Sequence, residues 1–283
     1  MVCEVANHLK LNWKTVKAID KQFLEYHFGK PDLNNLRILA VDEIAVRRSH
    51  QYLTVVLDYL SGRLLFVGKD RKAETLIDFF EQMSPVQHGY IEAVAMDMWD
   101  PFVKAVKKSA MGVNRFRQVF HVVAAFSQVI DKIRNNEYRK ASKEDKAVFK
   151  GTRYLLLKNR SHLKDKAKRN HLKELLVLNE TLNKVIILKD QLKNIWYYRS
   201  RSWAKKAIDH WCALSRSLVQ QALTNFSKML ERHRYGIINH CDYPTNIGRL
   251  EGVNIRIKVI KGKAYGFQDL RYFTLEIYQA FSN

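Results

Sequence analysis

Cysteine is scarce. Cys3, Cys212 and Cys241 are the three in 283 residues; they are an odd number, far apart and without C-x-x-C spacing, so they build neither a disulfide framework nor a zinc cluster. Long apolar runs are missing too. No stretch approaches the roughly 18–20 uninterrupted apolar residues of a spanning helix, and the opening MVCEVANHLKLNWK has no apolar core followed by a cleavage site. Together these absences read as a cytosolic chain with reduced thiols and no membrane partner. No internal repeat or low-complexity linker divides it. Acidic charge is also short: 28 Asp plus Glu stand against 49 Lys plus Arg, a formal charge of +21 with a pI near 9.8. A surplus of that size points to a polyanionic partner, nucleic acid above all.

What is present suffices for a core, since 47% of the residues are hydrophobic. The first segment, EVANHLKLNWKTVKAIDKQFLEYH, carries apolar residues at Val5, Leu9, Leu11, Val16, Ile19 and Phe23, with Ala6 where two helices can cross closely and Asn12 as a cap for the second. Two short helices joined by a tight turn suggest a helix-turn-helix whose second helix offers Lys14, Thr15, Lys17 and Lys21 to DNA. The plain alternative is an amphipathic hairpin that touches no DNA.

The pattern then changes. RILAVDEIAVRR, QYLTVVLDYLSG and RLLFVGKD read as a three-strand meander, the last two strands joined by a turn at Ser61–Gly62. AETLIDFFEQM has helical spacing, IEAVAMD is a buried strand, DPFVKAVKKSA is a helix with Pro101 in its first turn, and RFRQVFHVV is a fifth strand running into a helix. The order βββαβαβ is that of an α/β fold with a ribonuclease H-like mixed sheet. From about residue 126 to 243 the texture is helical and basic, a large all-α insertion. Most of its lysines and arginines read as solvated faces, while Trp196, Tyr197, Tyr198 and Trp203 interleave with Arg199 and Arg201 in a pattern that suits nucleic acid. The divisions expected are therefore 1–35, 36–125, 126–243 and 244–283.

Three acidic residues lie where an element presents them: Asp42 after the run Ile38–Val41, Asp97 after IEAVAM, and Glu251 in a helix starting near Thr245–Asn246, with Asn254 and Lys258 on its face at spacings of three and seven. A lone aspartate at a strand end ordinarily caps a turn, as Asp58 is expected to do. Glu251 alone would be a surface glutamate. As a set they have another use, because carboxylates at adjacent strand ends can hold two divalent ions roughly 3.5–4 Å apart for phosphoryl transfer. Magnesium suits that task.

The blocks VDEIAVRRSHQYLTVVLDYLSGRLLFV, IEAVAMDMWDPFVKAV, FHVV and LEGVNIRIKVIKGKAYGFQDLRYF resemble, in order, those of the ISL-three family of insertion-sequence transposases, DDE enzymes with a ribonuclease H-like core. The resemblance implies a triad Asp42, Asp97 and Glu251 holding two Mg²⁺ or Mn²⁺ ions, with His121 near the scissile phosphate. It further implies cleavage and strand transfer on double-stranded DNA, element ends and target, by a homo-oligomer in the bacterial cytoplasm, associated with the nucleoid. Further DNA contacts are expected from Arg256, Lys258, Lys261 and Lys263, besides Arg199 and Arg201, and Glu43 is expected to be only a strand-end neighbour. Two departures stand against the family pattern. Gln118 occupies the place of an aspartate before Phe120–His121, and the chain begins inside the helix-turn-helix with no zinc module before it, which implies a truncated and impaired copy. Two other readings compete: a non-catalytic remnant that binds element ends and represses, and a ribonuclease H-like nuclease.

Overall fold

The computed structural model describes residues 2–47, 51–97, 99–109, 116–118, 121–243, 248–263 and 269–282, with side chains for all of these except 46, 47, 51, 116–118, 121, 160 and 248–251. The chain divides into two compact units, residues 1–116 with 245–283, and residues 117–244.

The first unit opens with α1 (Val2–Leu9) and α2 (Trp13–Phe28), separated by a turn in which Lys10 takes φ 55°. Asn12 caps α2, its side chain accepting from the Lys14 N–H at 2.9 Å. Ala6 is buried, as a close crossing requires. The apolar line expected to form the hairpin's core does not: Val5, Leu9, Leu11, Ile19 and Phe23 are about half exposed, and Leu24 is the α2 residue that is fully buried. The helix is turned so that Leu24 packs on Tyr272 and Leu275 of α15 (Leu270–Ala280). Polar bonds between α2 and the start of α15 fix that rotation, with Lys21 and Lys17 on Asp269 and Glu25 on Arg271.

A five-stranded sheet follows in the order β3-β2-β1-β4-β5, built from β1 (Ile38–Arg47), β2 (Gln51–Asp58), β3 (Leu64–Lys69), β4 (Ala93–Met96) and β5 (Phe116–Gln118). β1 pairs antiparallel with β2, and β2 antiparallel with β3, forming the expected meander; β1 and β4 are parallel. The β2–β3 turn is set by Asp58, whose carboxylate accepts from Leu60 N at 3.1 Å, Ser61 N at 3.2 Å and Ser61 Oγ at 2.5 Å, and by Gly62 at φ +80°.

Both faces of the sheet are covered, which is why β1 and β4 read as continuous apolar runs rather than alternating ones. On one face Leu39, Val41, Val56, Val94 and Met96 meet Leu76, Phe79 and Phe80 of α3 (Ala73–Phe80), and Phe102, Ala105 and Val106 of α5 (Asp100–Ser109). Between these helices lies α4 (Pro85–Tyr90), begun by a capping box in which Ser84 and Gln87 bond reciprocally. On the other face Ala40, Ile44, Leu53, Val55, Leu57 and Ala95 meet Val253 and Ile257 of α14 (Gly248–Lys263), and Phe273 and Ile277 of α15. The fold is the ribonuclease H-like mixed sheet.

After the β5 residues 117 and 118, the described elements of the second unit are helices: α6 (His121–Lys140), α7 (Asp145–Phe149), α8 (Arg153–Leu157), α9 (Lys166–Leu178), α10 (Glu180–Asn194), α11 (Arg201–Ser217), α12 (Gln221–Arg232) and α13 (Arg234–Ile238). Phe126, Trp211 and Phe226 form its aromatic centre, with ring centroids 5.0–5.5 Å apart. Trp211 Nε1 donates to Leu188 O at 2.7 Å. Lys189 departs from the solvated-lysine pattern. It is buried, and its ammonium bonds the carbonyls of Leu156 (2.5 Å) and Lys158 (2.7 Å) at the end of α8.

Candidate active site

Two of the three singled-out carboxylates are brought to one level by strand register. β1 and β4 pair in parallel from Ile38↔Ala93 to Val41↔Met96, so Asp42 and Asp97 each follow directly on the last pair of that ladder. Neighbouring strands are about 4.8 Å apart, close enough for two carboxylates to share a cation. Asp42 is not at the end of its strand, as the apolar run suggested. β1 continues to Arg47 because β2 keeps pairing with it, Asp42 lying opposite Val55. What ends at Val41 is the parallel ladder, and the aspartates sit where it opens.

Alternation along β1 decides the face. Ala40 and Ile44 are both buried against α14 and α15, so Asp42, between them, points the same way. Its Oδ2 accepts from Asn254 Nδ2 at 2.6 Å and its Oδ1 from the Glu43 backbone N–H at 2.8 Å. Both are charge-assisted bonds. Ala95, two residues before Asp97, lies in the same cluster.

Helix α14 is anchored there by Val253 and Ile257, spaced i, i+4 and buried. Glu251, Asn254 and Lys258 form the adjoining stripe, so Glu251 lies one turn before the asparagine that is bonded to Asp42. The side chain of Glu251 is outside the described residues, as are those of Gln118 and His121; the latter two belong to β5 and α6. Asn254 is the partner of Asp42 to which sequence reasoning gave no role. Its spacing of three from Glu251 was visible, but nothing in the pattern joined it to a strand 212 residues earlier. Its Oδ1 is buried without a hydrogen-bond partner.

The donors on these elements, two carboxylates and an unpartnered amide oxygen, are hard oxygens of the kind magnesium and manganese accept. Among the described residues no three His, Cys, Asp or Glu side chains gather into a metal-holding group. The third acidic ligand of such a centre would be Glu251.

Glu43, one residue on, faces the opposite side of the sheet. Its Oε1 accepts from Arg71 Nη1 at 2.9 Å.

The basic residues singled out earlier fall into two groups. Lys14 and Thr15 are exposed at the start of α2, whereas Lys17 and Lys21 are half-buried, 3.2 and 2.9 Å from Asp269. Burial pushes the Asp269 carboxyl up, but the Tyr272 backbone N–H and the two ammoniums outweigh it and hold the group at about 2. Arg199 is exposed; Arg201 bonds Asp242 at 2.7 Å. On α14, Lys258 and Lys263 are exposed, Lys261 is half-buried, and the Arg256 guanidinium lies 4.9 Å from the Phe281 ring centroid.

A family model for DDE transposases of the ISL-three type, described as "Transposase", matches residues 39–277. The chain belongs to the ISL-three family of transposases. The match runs from β1 into α15 and so contains both aspartates, the helical block and α14, while α1 and α2 lie before it. This family member is 37% identical over 280 residues to the transposase for insertion sequence element IS1001 of Bordetella parapertussis, an alignment covering 98% of this chain and 69% of that protein. It is 25% identical over 291 residues to the transposase for insertion sequence element IS1557 of Mycobacterium tuberculosis, covering 94% of this chain and 64% of the other. The chain thus spans about two thirds of the length of these relatives.

Proposed function

We propose that this transposase-family chain catalyses metal-dependent cleavage and strand transfer of DNA at the ends of an insertion sequence, with Asp42, Asp97 and Glu251 as its metal-holding carboxylates. The observation that supports the reading is the register of β1 on β4, whose last pair, Val41↔Met96, immediately precedes both aspartates, together with the bond by which Asn254 of α14 holds Asp42. Two Mg²⁺ or Mn²⁺ ions are the cofactor these donors fit; bound, they supply an activated water and neutralise charge on the leaving oxygen. Asp42 is held for that duty by Asn254, and Glu251 stands one turn before that asparagine on the same helix. Lys258, on the Glu251 stripe and exposed, is suited to hold a phosphate against a centre that would otherwise repel it. His121 holds or delivers a proton near the scissile phosphate.

DNA is engaged by Lys14 and Thr15 in the 1–35 segment, by Arg199 and Arg201 in the basic 126–243 block, and by Arg256, Lys258, Lys261 and Lys263 beside the centre; Lys17 and Lys21 serve mainly to seat α2 on Asp269. The complete reaction joins two DNA segments, which calls for more than one copy of the chain on DNA.

The test is a cleavage and strand-transfer assay in Mg²⁺ or Mn²⁺ on duplexes carrying the terminal repeats that flank the gene. Asp42→Asn, Asp97→Asn and Glu251→Gln are each expected to abolish cleavage with the fold and DNA affinity nearly intact. Near-wild-type cleavage by any one of them would remove that residue from its role. Gln118, where the family pattern has an aspartate, favours a second reading, a remnant that occupies element ends and represses. Tight end binding without cleavage, by both the natural chain and Gln118→Asp, would decide for it.

A further inference from the structure

Two carboxylates stand side by side on β1, and the strand sends them to opposite faces. Asp42 meets α14; Glu43 meets Arg71, just beyond β3, with Oε1 2.9 Å from Nη1. The Arg71 guanidinium lies over two aromatic rings, its carbon 4.1 Å from the Tyr52 ring centroid and 4.7 Å from that of Trp99. Trp99 closes the arrangement, since its Nε1 donates to the Arg71 carbonyl at 3.1 Å. Tyr52 is on the Glu43 face because it pairs with Ala45 across β1–β2. Trp99 also starts the next helix, its carbonyl accepting from Phe102 N at 3.0 Å and Val103 N at 3.2 Å.

These contacts bear on Asp97, which is one residue past the last paired position of β4 and two before Trp99. It therefore lies on a short link between two fixed points, the Val41↔Met96 pairing and the Trp99 indole. The Glu43 carboxylate is a poor choice for stability alone. It is half-buried, with Oε2 buried and lacking any hydrogen-bond partner, and replacing a charge so placed with apolar side chains often leaves a fold as stable or more so. A planar guanidinium fixed by one carboxylate and two rings is suited to exact placement of what rests on it.

We propose that Glu43, Arg71 and Trp99 form a positioning clamp that sets the Asp97 carboxylate opposite Asp42. Asp42 and Asp97 are thus aimed from the two faces of one strand, Asp42 through Asn254 and Asp97 through Glu43. The inference rests on the reading of Asp97 as a metal-holding carboxylate, and its test separates the two.

Mn²⁺ binding to the full chain, without DNA, is measured from the paramagnetic resonance signal of free Mn²⁺, beside thermal melts in EDTA. The proteins compared are the natural chain, Asp97→Asn, Glu43→Gln, Trp99→Phe, Arg71→Lys and the double variant Glu43→Gln/Trp99→Phe. Partners that orient metal ligands typically control affinity by 10- to 100-fold. Glu43→Gln and Trp99→Phe are each expected to weaken Mn²⁺ binding on the order of tenfold. Arg71→Lys, which keeps the charge and loses the planar stack, should do the same, and the double variant should be no weaker than the poorer single one. If Glu43→Gln does not fold, Trp99→Phe, which leaves the ion pair intact, carries the test. Lower melting temperatures with Mn²⁺ affinity unchanged, while Asp97→Asn loses binding, would overturn the clamp and spare the metal centre. Equal Mn²⁺ binding by the natural chain and Asp97→Asn would overturn the centre itself, and the clamp with it.

Discussion

An asparagine offers one amide donor and one oxygen, and at position 254 only the donor is used. Its Nδ2 is 2.6 Å from Asp42 Oδ2, while Oδ1 is buried and unpartnered. A buried oxygen left so is costly, by about 1–3 kcal/mol, and a cation beside Asp42 would satisfy it. Asn254→Ala should therefore lower cleavage by about 10- to 100-fold, with DNA affinity kept; rates within twofold of the natural chain would deny the asparagine that role. Asp269 offers a cleaner electrostatic measurement. Its carboxyl is depressed from the ordinary 3.8 to about 2, so the charged form contributes stability that is present above about pH 4 and lost as pH falls toward 2. Asn at 269 can still cap α15, as the carboxylate does from Tyr272 N at 3.1 Å. Asp269→Asn should thus cost roughly 1–2 kcal/mol at neutral pH, measured by chemical denaturation, and the difference should close between about pH 4 and pH 2. A difference constant down to pH 2 would mean that the lysine pairs contribute nothing.

Elements show what packing adds to pattern. At Gly68 in β3 a Cβ would collide with Thr75 Cγ2 and the Phe66 ring, and Thr75 is itself held by its bond to the Lys69 carbonyl at 2.9 Å. Gly68→Ala should destabilise the chain by about 1–3 kcal/mol, read as a shift of the denaturation midpoint; an unchanged midpoint would show that α3 yields easily. The meander was legible because its apolar runs end in turn chemistry, Asp58 and Gly62 above all. The length of β1 was not, since an acidic pair interrupts the apolar run and only the β2 ladder carries the strand past it. Helix α4 carried its own signal in Ser84, Pro85 and Gln87, a capping box that hydrophobic periodicity alone does not detect. The α1–α2 hairpin was recognisable, but its buried face was not: the sequence shows the stripe from Val5 to Phe23, whereas rotation is set by bonds to Asp269 and Arg271, some 250 residues away. Asp42 and Asp97 were legible as strand-borne acids. The register of β1 on β4, and the contacts of Asn254, Arg71 and Trp99, join stretches that no local window contains.

For the whole molecule, a charge of +21 should dominate association with DNA. If six or more phosphates are contacted, affinity should fall roughly a thousandfold or more between about 50 and 200 mM salt; a flat salt dependence in a filter-binding or anisotropy titration would argue against DNA as the partner. The sheet unit is assembled from residues 1–116 and 245–283, with the entire helical unit between them in the chain. That order has a consequence on the ribosome. The five strands are made first, but Val253, Ile257, Phe273 and Ile277, which cover the face bearing Ala40, Ile44 and Leu53, come last. At about 5–20 residues per second, the nascent sheet waits on the order of ten to thirty seconds with that apolar face bare and Asp42 without Asn254. A message cut short within the helical block would leave an exposed, aggregation-prone sheet and no assembled centre. The face of the sheet that bears Asp42 is thus covered only after the helical block has been made, by the stretch that begins at α14.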